Sequence, residues 1–394
     1  MSVLFKPPWK NIKWYVLNKN IEIEDKEVEN FSFDKTIVEK IYTLKDKIST
    51  FDEEQWEYSK KITNPYELIF TSQGKYQSPS SVCLLHPLSR SYFKMNEIMQ
   101  VTGIWDKIPK DIRTAHVCEG PGGFIQSIYE NSTKMKKRIV NTTAMTLKPM
   151  HYQVPGWKRA STFLKKYNQI NIHYGKDGTG DILKEENQDS FINVTKRSIH
   201  IFTADGGIDF TMNYAAQEET IYPILIASTK IAVRCLVQGG VYILKIFDCI
   251  ASTTYDFLVA LGSCFEKWCL YKPVTSRPCN SEQYFIGFGF KTSTVPDILK
   301  VLNIEYKLPL GFLKRMQNDA FYKEFESEQY KRLEDQIVSL EATFNNINLS
   351  DKGVVKEKWN KNIQLCKAYC AEFHLPVINP LPDGISISIS DMKS

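Results

Sequence analysis

Four polar residues sit where their chemistry needs a reason. Lys245 lies inside Gly240-Val241-Tyr242-Ile243-Leu244-Lys245-Ile246-Phe247, a β-branched and apolar run. An unpaired buried ammonium is costly, so a lysine there needs a partner or a task. Asp205 ends Ile199-His200-Ile201-Phe202-Thr203-Ala204 and is followed by Gly206-Gly207. Lys94 closes Ser89-Arg90-Ser91-Tyr92-Phe93-Lys94, and Glu282 opens Ser281-Glu282-Gln283-Tyr284-Phe285, shortly after Ser276-Arg277-Pro278. Two cations and two anions gathered at one place stay close to neutral while leaving one amine able to take up a proton.

A ligand loop accompanies them. Val117-Cys118-Glu119-Gly120-Pro121-Gly122-Gly123-Phe124 joins a short strand, Arg113–Cys118, to Phe124–Glu130, which has helical apolar spacing. Backbone N–H groups at such a helix N-terminus meet a small charged ligand. The glycines let main chain approach it, and Pro121 stiffens the turn. The order departs from the dinucleotide fingerprint: Ile125 stands where the third glycine belongs, and no Gly-Lys-Ser or Gly-Lys-Thr follows. In an open α/β sheet the carboxyl ends of strands gather at one edge, so Asp205 and Lys245 can face whatever the glycine loop holds.

The order Lys94, glycine loop, Asp205, Lys245, Glu282 resembles the FtsJ-like RNA ribose 2′-O-methyltransferases. The flanking words Cys118-Glu119-Gly120-Pro121-Gly122-Gly123-Phe124, Thr203-Ala204-Asp205-Gly206-Gly207 and Ser276-Arg277-Pro278 are most similar to the cap-specific, Adrift-type branch of eukaryotes and large cytoplasmic DNA viruses. Trp56 and Thr63-Asn64-Pro65-Tyr66-Glu67 fit that branch less sharply, and the resemblance covers roughly residues 60–290. It implies S-adenosyl-L-methionine as methyl donor, no metal, and capped mRNA 5′ ends as acceptor, with the capping or transcription machinery as partner. It also implies a Lys94-Asp205-Lys245-Glu282 tetrad in which Lys245 takes the 2′-OH proton. Gly122 and Phe124 would line the donor site, Thr146 its sugar side, and Asp181 would accept from the adenine amino group. Many relatives carry an acidic residue after the second strand where this chain has Met145-Thr146-Leu147-Lys148-Pro149, so sugar recognition is expected to be weaker.

A lysine at its ordinary pKa of about 10.4 is neutral in roughly one molecule per thousand near pH 7.5, a handicap of about 4 kcal/mol. A second cation and partial desolvation both depress such a pKa, and Lys94 is expected to supply the like charge. Rival readings remain for single residues. Asp205 would also cap the turn at Gly206-Gly207, and Asp181 would N-cap a helix starting at Ile182. The stretch His151, Tyr152, Trp157, Lys158, Arg159, Phe163, Lys165, Lys166 and Tyr167 suits stacking on single-stranded RNA, but an amphipathic helix with Phe163 and Tyr167 turned inward explains it better. For the whole chain the rivals are a ribosomal or other RNA 2′-O-methyltransferase, or a silent RNA- or polymerase-binding module of the same fold.

The elements that must position these groups follow from pattern. The 394 residues are 43% hydrophobic and 24% charged, enough for a large α/β core, and a formal net charge of +5 suits contact with a few phosphates rather than packaging of nucleic acid. Expected strands are Arg113–Cys118, Arg138–Ala144, Gln169–Tyr174, Ser198–Ala204, Gly240–Phe247, Lys267–Lys272 and Gln283–Phe290, alternating with helical runs. This pattern predicts a Rossmann-like, doubly wound sheet over residues 81–295, with a helical N-terminal extension (1–80) and a helical C-terminal region (296–394) whose tail after Leu381 is loose. Helices are expected at Ile37–Ile48, Tyr214–Val237, where Gln238-Gly239-Gly240 acts as the stop, and Phe321–Phe344. Nine irregularly spaced cysteines suggest reduced thiols, and with no membrane span or leader segment expected, a cytoplasmic protein.

Overall fold

The computed structural model describes residues 12–17, 22–28, 34–71, 78–149, 156–207, 216–304, 311–314 and 320–379. His151, Tyr152 and the tail after Leu381 lie outside them. The chain opens with β1 (Ile23–Val28), α1 (Lys35–Ile48) and α2 (Glu53–Thr63). It continues through α3 (Ser91–Val101), α4 (Ile104–Lys107), β2 (Asp111–Val117), α5 (Gly123–Ser132), β3 (Arg138–Met145), α6 (Ser161–Lys166) and β4 (Ile170–His173). Then come α7 (Glu185–Thr195), β5 (Ile199–Ala204), α8 (Gln217–Cys235), β6 (Leu236–Ile246), α9 (Ser252–Ser263), β7 (Phe265–Tyr271) and β8 (Gln283–Phe290). The last described elements are α10 (Val295–Leu302), β9 (Gly311–Leu313), α11 (Ala320–Asn345) and α12 (Lys352–Glu372).

The seven strands read from pattern form one sheet in the order β4-β3-β2-β5-β6-β8-β7. The pairs from β4 to β6 are parallel, while β8 runs antiparallel to both β6 and β7. Strand residues alternate between two buried faces, as a sheet covered on both sides requires. Ile201, Val241 and Ile243 join α3, α5 and Trp359 of α12 in one core. Phe202, Tyr242 and Leu244 join α8, α9 and Phe325 of α11 in the other. A smaller cluster of Ile41, Trp56, Leu333 and Leu340 packs α1 and α2 against α11.

The edge strand β7 is bridged midway by Tyr15, whose backbone pairs with Trp268 in both directions at 2.7 and 3.0 Å, so the outward N–H and C=O of Trp268 are satisfied. One local expectation fails. Gly239-Gly240 does not stop α8, which ends at Cys235 and passes directly into β6 at Leu236. The glycines are absorbed as an irregularity of β6 opposite Ile199–Ile201, where the register shifts.

Candidate active site

Topology brings the predicted residues to one edge. Asp205 follows β5, Lys245 is the penultimate residue of β6, and the glycine loop follows β2. Glu282 precedes β8, and because β8 is antiparallel its start lies at the same edge as the end of β6, with Lys245 registered opposite Tyr284. Lys94 reaches this edge from the first turn of α3.

The tetrad forms two ion pairs. Lys94 Nζ is 2.6 Å from Glu282 Oε1, and Lys245 Nζ is 3.2 Å from Asp205 Oδ1. Lys245 also donates to the Asp205 carbonyl oxygen at 2.9 Å. Tyr284 Oη joins the pairs, donating to Asp205 Oδ1 at 3.0 Å and lying 3.4 Å from Glu282 Oε1. The four charged side chains are only 10–15% exposed, so their fields are weakly screened.

The charges do not tune Lys245 as the sequence suggested. Burial pulls its pKa down, but Asp205 and Glu282 outweigh that and raise it above the ordinary lysine value. Lys94 is paired with Glu282, and the main influences on Lys245 are burial, Asp205 and Glu282 rather than the like charge of Lys94. Burial works to raise Glu282, yet Lys94 and Lys245 hold it down at about 2. The resting site therefore contains an ammonium at Lys245 and a carboxylate at Glu282.

Two residues that sequence reading passed over belong here. Tyr284 was an unremarked position of a strand. Glu119 stood inside the quoted loop, and a carboxyl among apolar strand residues and glycines was the available signal. It is 3% exposed, accepts a hydrogen bond from Thr203, and is pushed well above the carboxylate range by burial and by Asp205. Behind it runs a buried polar chain. Thr203 contacts His116 Nδ1 at 2.8 Å, His116 Nε2 contacts Thr114 at 2.9 Å, and Thr114 reaches Thr142 at 2.7 Å. Burial lowers His116 to about 3, so its ring is neutral.

The proposed donor residues surround a backbone cradle. Gly122 has φ +103°, and a Cβ there would come 3.3 Å from the Trp157 ring, while a Cβ on Gly123 would strike the Ser91 hydroxyl at 2.2 Å. Gly180 (φ +71°) brings the 175–181 loop onto Thr146, where a Cβ would meet the Thr146 carbonyl oxygen at 2.0 Å. At these places only glycine lets the loops pack this closely on Trp157, on the start of α3 and on Thr146. The fit to a small nucleoside-type donor rests on this cradle, with Thr146 and Asp181 at its border. Asp181 already accepts from Leu183 N at 2.9 Å, and the next helix begins at Glu185, so it caps a turn and not a helix at Ile182. The Phe124 ring is wholly buried 5.7 Å from Tyr284, which leaves its backbone for a ligand and its ring as support for the tetrad. Phe163 and Tyr167 pack on Tyr129 at 5.9 and 4.7 Å, the inward arrangement, so they offer no stacking platform.

A seven-stranded sheet with its last strand antiparallel, a glycine loop after the first parallel strand and polar residues along the same edge define a Rossmann-like methyltransferase fold. Residues 87–290 match the FtsJ-like methyltransferase family, and the chain belongs to that family. It is similar to cap-specific mRNA (nucleoside-2′-O-)-methyltransferase 1 of Homo sapiens, 27% identical over 74% of this chain and 35% of that protein. The protein of the same name from Trypanosoma cruzi is 32% identical over 51% of this chain and 56% of its own length. That from Dictyostelium discoideum is 28% identical over 66% and 35%. The chain thus spans between about a third and just over half of these relatives.

Proposed function

We propose that this chain transfers a methyl group from S-adenosyl-L-methionine to a ribose 2′-OH of RNA, at the first transcribed nucleotides of capped mRNA. The observation that carries this is the pair of ion pairs, Lys94–Glu282 and Lys245–Asp205, bridged by Tyr284 at the edge where the glycine loop opens. Family membership supports the reaction class, and the names of the relatives support RNA and its cap. We further propose the capping or transcription machinery as partner and the cytoplasm as the place of action.

The donor supplies a methyl already activated on a sulfonium. The protein's task is to align the hydroxyl, which contributes ~7–11 kcal/mol in favourable systems, and to remove its proton. Lys245 Nζ takes that proton as the ribose oxygen forms its new bond. Lys245 must first become neutral. Burial is the largest influence on it and already favours the neutral amine, so a docked RNA that excludes the remaining water pushes further in that direction. Asp205 and Tyr284 fix the position of the amine, and Lys94 holds Glu282 in place.

The test is mass analysis of short capped and uncapped RNAs incubated with labelled donor. Methylation of the capped RNA at the ribose of its first nucleotides is expected. Equal rates on uncapped RNA would remove the cap reading, and no methylation of either would leave the silent binding module.

A further inference from the structure

A cavity of about 310 Å³ lies between the catalytic edge and α11. It adjoins the tetrad: Ser281 and Gln283, which flank Glu282, line it, as does Phe247, whose ring centroid is 5.7 Å from Lys245 Nζ. Prolines and the rings of Tyr66 and Phe247 give it flat apolar surfaces. Its polar lining is unusual. Gln329 Nε2, Arg332 Nε, Ser276 Oγ, Gln283 Oε1 and Asp248 Oδ1 are all buried with no hydrogen-bond partner among the described residues. Gln329, Ser276, Gln283 and Asp248 are 3–5% exposed. Buried polar atoms without partners are few in a native protein, and each costs free energy until something satisfies it. Three of these side chains are already engaged through other atoms, Arg332 Nη2 with the Leu270 carbonyl oxygen, Gln283 Nε2 with that of Phe247 and Asp248 with Lys45. The five remaining atoms, both donors and acceptors, suit an occupant with the complementary edge.

We infer that this cavity takes the heterocyclic base of the acceptor nucleotide, and that α11 contributes the side chains that read it. A base has two apolar faces and a rim of mixed donors and acceptors, which match the flat walls and the amide, hydroxyl and guanidinium groups. The volume lies at the lower end of the small-ligand range. A base seated beside Phe247 leaves its ribose next to Lys245. Gln329 and Arg332 come from outside the 87–290 family region, so base reading is a contribution of the C-terminal helix. The inference rests on the RNA-methylating reading above.

The test uses the full chain and two short capped RNAs, one normal and one with an abasic residue at the methylated position, whose ribose and 2′-OH are kept. Wild type is expected to lose about a hundredfold in kcat/KM on the abasic RNA. Gln329→Leu is expected to lose about tenfold on the normal RNA and nothing on the abasic one, because the lost contact is already absent. Ser339→Tyr, which fills the cavity from its half-buried rim, should give the same pattern and serves if Gln329→Leu does not fold. Unchanged donor affinity shows that each variant is intact. Equal losses on both RNAs, or a wild type indifferent to the base, would overturn the inference while leaving the activity standing. A wild type that methylates neither RNA would remove the activity and the inference together.

Discussion

Lys94 Nζ and Glu282 Oε1 are 2.6 Å apart, and this contact, with the Lys245–Asp205 pair beside it, places two cations against two carboxylates at one edge. Lys94 is paired with Glu282, while Lys245 is pulled down by burial and raised, on balance, by Asp205 and Glu282. A site built this way keeps Lys245, the proposed base, as an ammonium until something displaces the balance. The single-turnover rate is therefore expected to climb with pH into the ordinary lysine range rather than level off well below it. Lys94→Met leaves the Glu282 charge unopposed beside Lys245 and should move the profile to higher pH. Asp205→Asn removes the nearest carboxylate and should move it lower, though with a slower maximum because Lys245 loses an anchor. Rates measured from pH 6 to 10 check both signs, and a Lys94→Met profile displaced downward would contradict this account of the pair.

Lys245→Ala should abolish methylation and leave donor affinity within about twofold. Among the described residues the glycine cradle, Thr146 and Asp181 hold no contact with the Lys245 ammonium, which is committed to Asp205. Calorimetric titration of the donor against both proteins decides it. A lost donor site in the variant would mean that Lys245 shapes the cradle.

Tyr284→Phe tests the bridge. The ring remains buried against Phe124, so packing is preserved, and only the hydroxyl shared between Asp205 and Glu282 is lost. Stability should fall by about 1.5–3 kcal/mol at most, the net worth of a hydrogen bond to a charged group, while the maximal rate falls about tenfold. The pair of measurements is a denaturation midpoint and a single-turnover rate. An unchanged rate would show that the two ion pairs act independently.

How much of this was legible beforehand follows from what each signal depends on. The sheet was readable strand by strand because each strand is a short apolar or β-branched run between turns, and burial on both faces leaves no ambiguity of register pattern. Lys94, Asp205, Lys245 and Glu282 were findable because a charge in an apolar strand, or a motif around it, marks a position without any contact being known. The sign of the Lys245 shift was not, since it depends on which cation faces which anion, a matter of ångströms that spacing does not encode. Tyr284 was hidden for a related reason: a tyrosine in a strand reads as core until the strand's partner is known. The Gly239-Gly240 pair misled because a glycine pair after a helix is the usual stop, whereas here the bulge of β6 uses it.

Glu67 is the anchor between the N-terminal helices and the catalytic domain, and its titration gives a prediction about stability. It is 2% exposed and accepts from Arg277 Nε and Nη2, both at 3.1 Å, and from Asn64 Nδ2 at 2.8 Å, with Arg90 Nη1 at 3.5 Å. Arg90 in turn donates to the carbonyl oxygens of Tyr66, Glu67 and Phe70 at 2.6–3.0 Å and to that of Thr275 at 3.1 Å, tying three segments together at the start of α3. Burial works to raise the Glu67 carboxyl, but the two guanidinium groups prevail and hold it at about 2, against an ordinary value of 4.5. The depressed value means that the folded state binds the proton less readily than the unfolded chain. Its stabilisation is therefore full above pH 4.5 and is lost as pH falls toward 2. Glu67→Gln keeps the shape but removes the carboxylate shared by two partly buried guanidinium groups, of which Arg277 keeps only Glu57 at 3.4 Å, and should cost about 2–3 kcal/mol at pH 7. The difference from wild type should shrink between pH 4.5 and 2, where wild type surrenders the same charge. Urea denaturation of both proteins at pH 7 and at several points down to pH 3 measures this. A difference that stays constant over that range would mean that Glu67 acts through its hydrogen bonds alone.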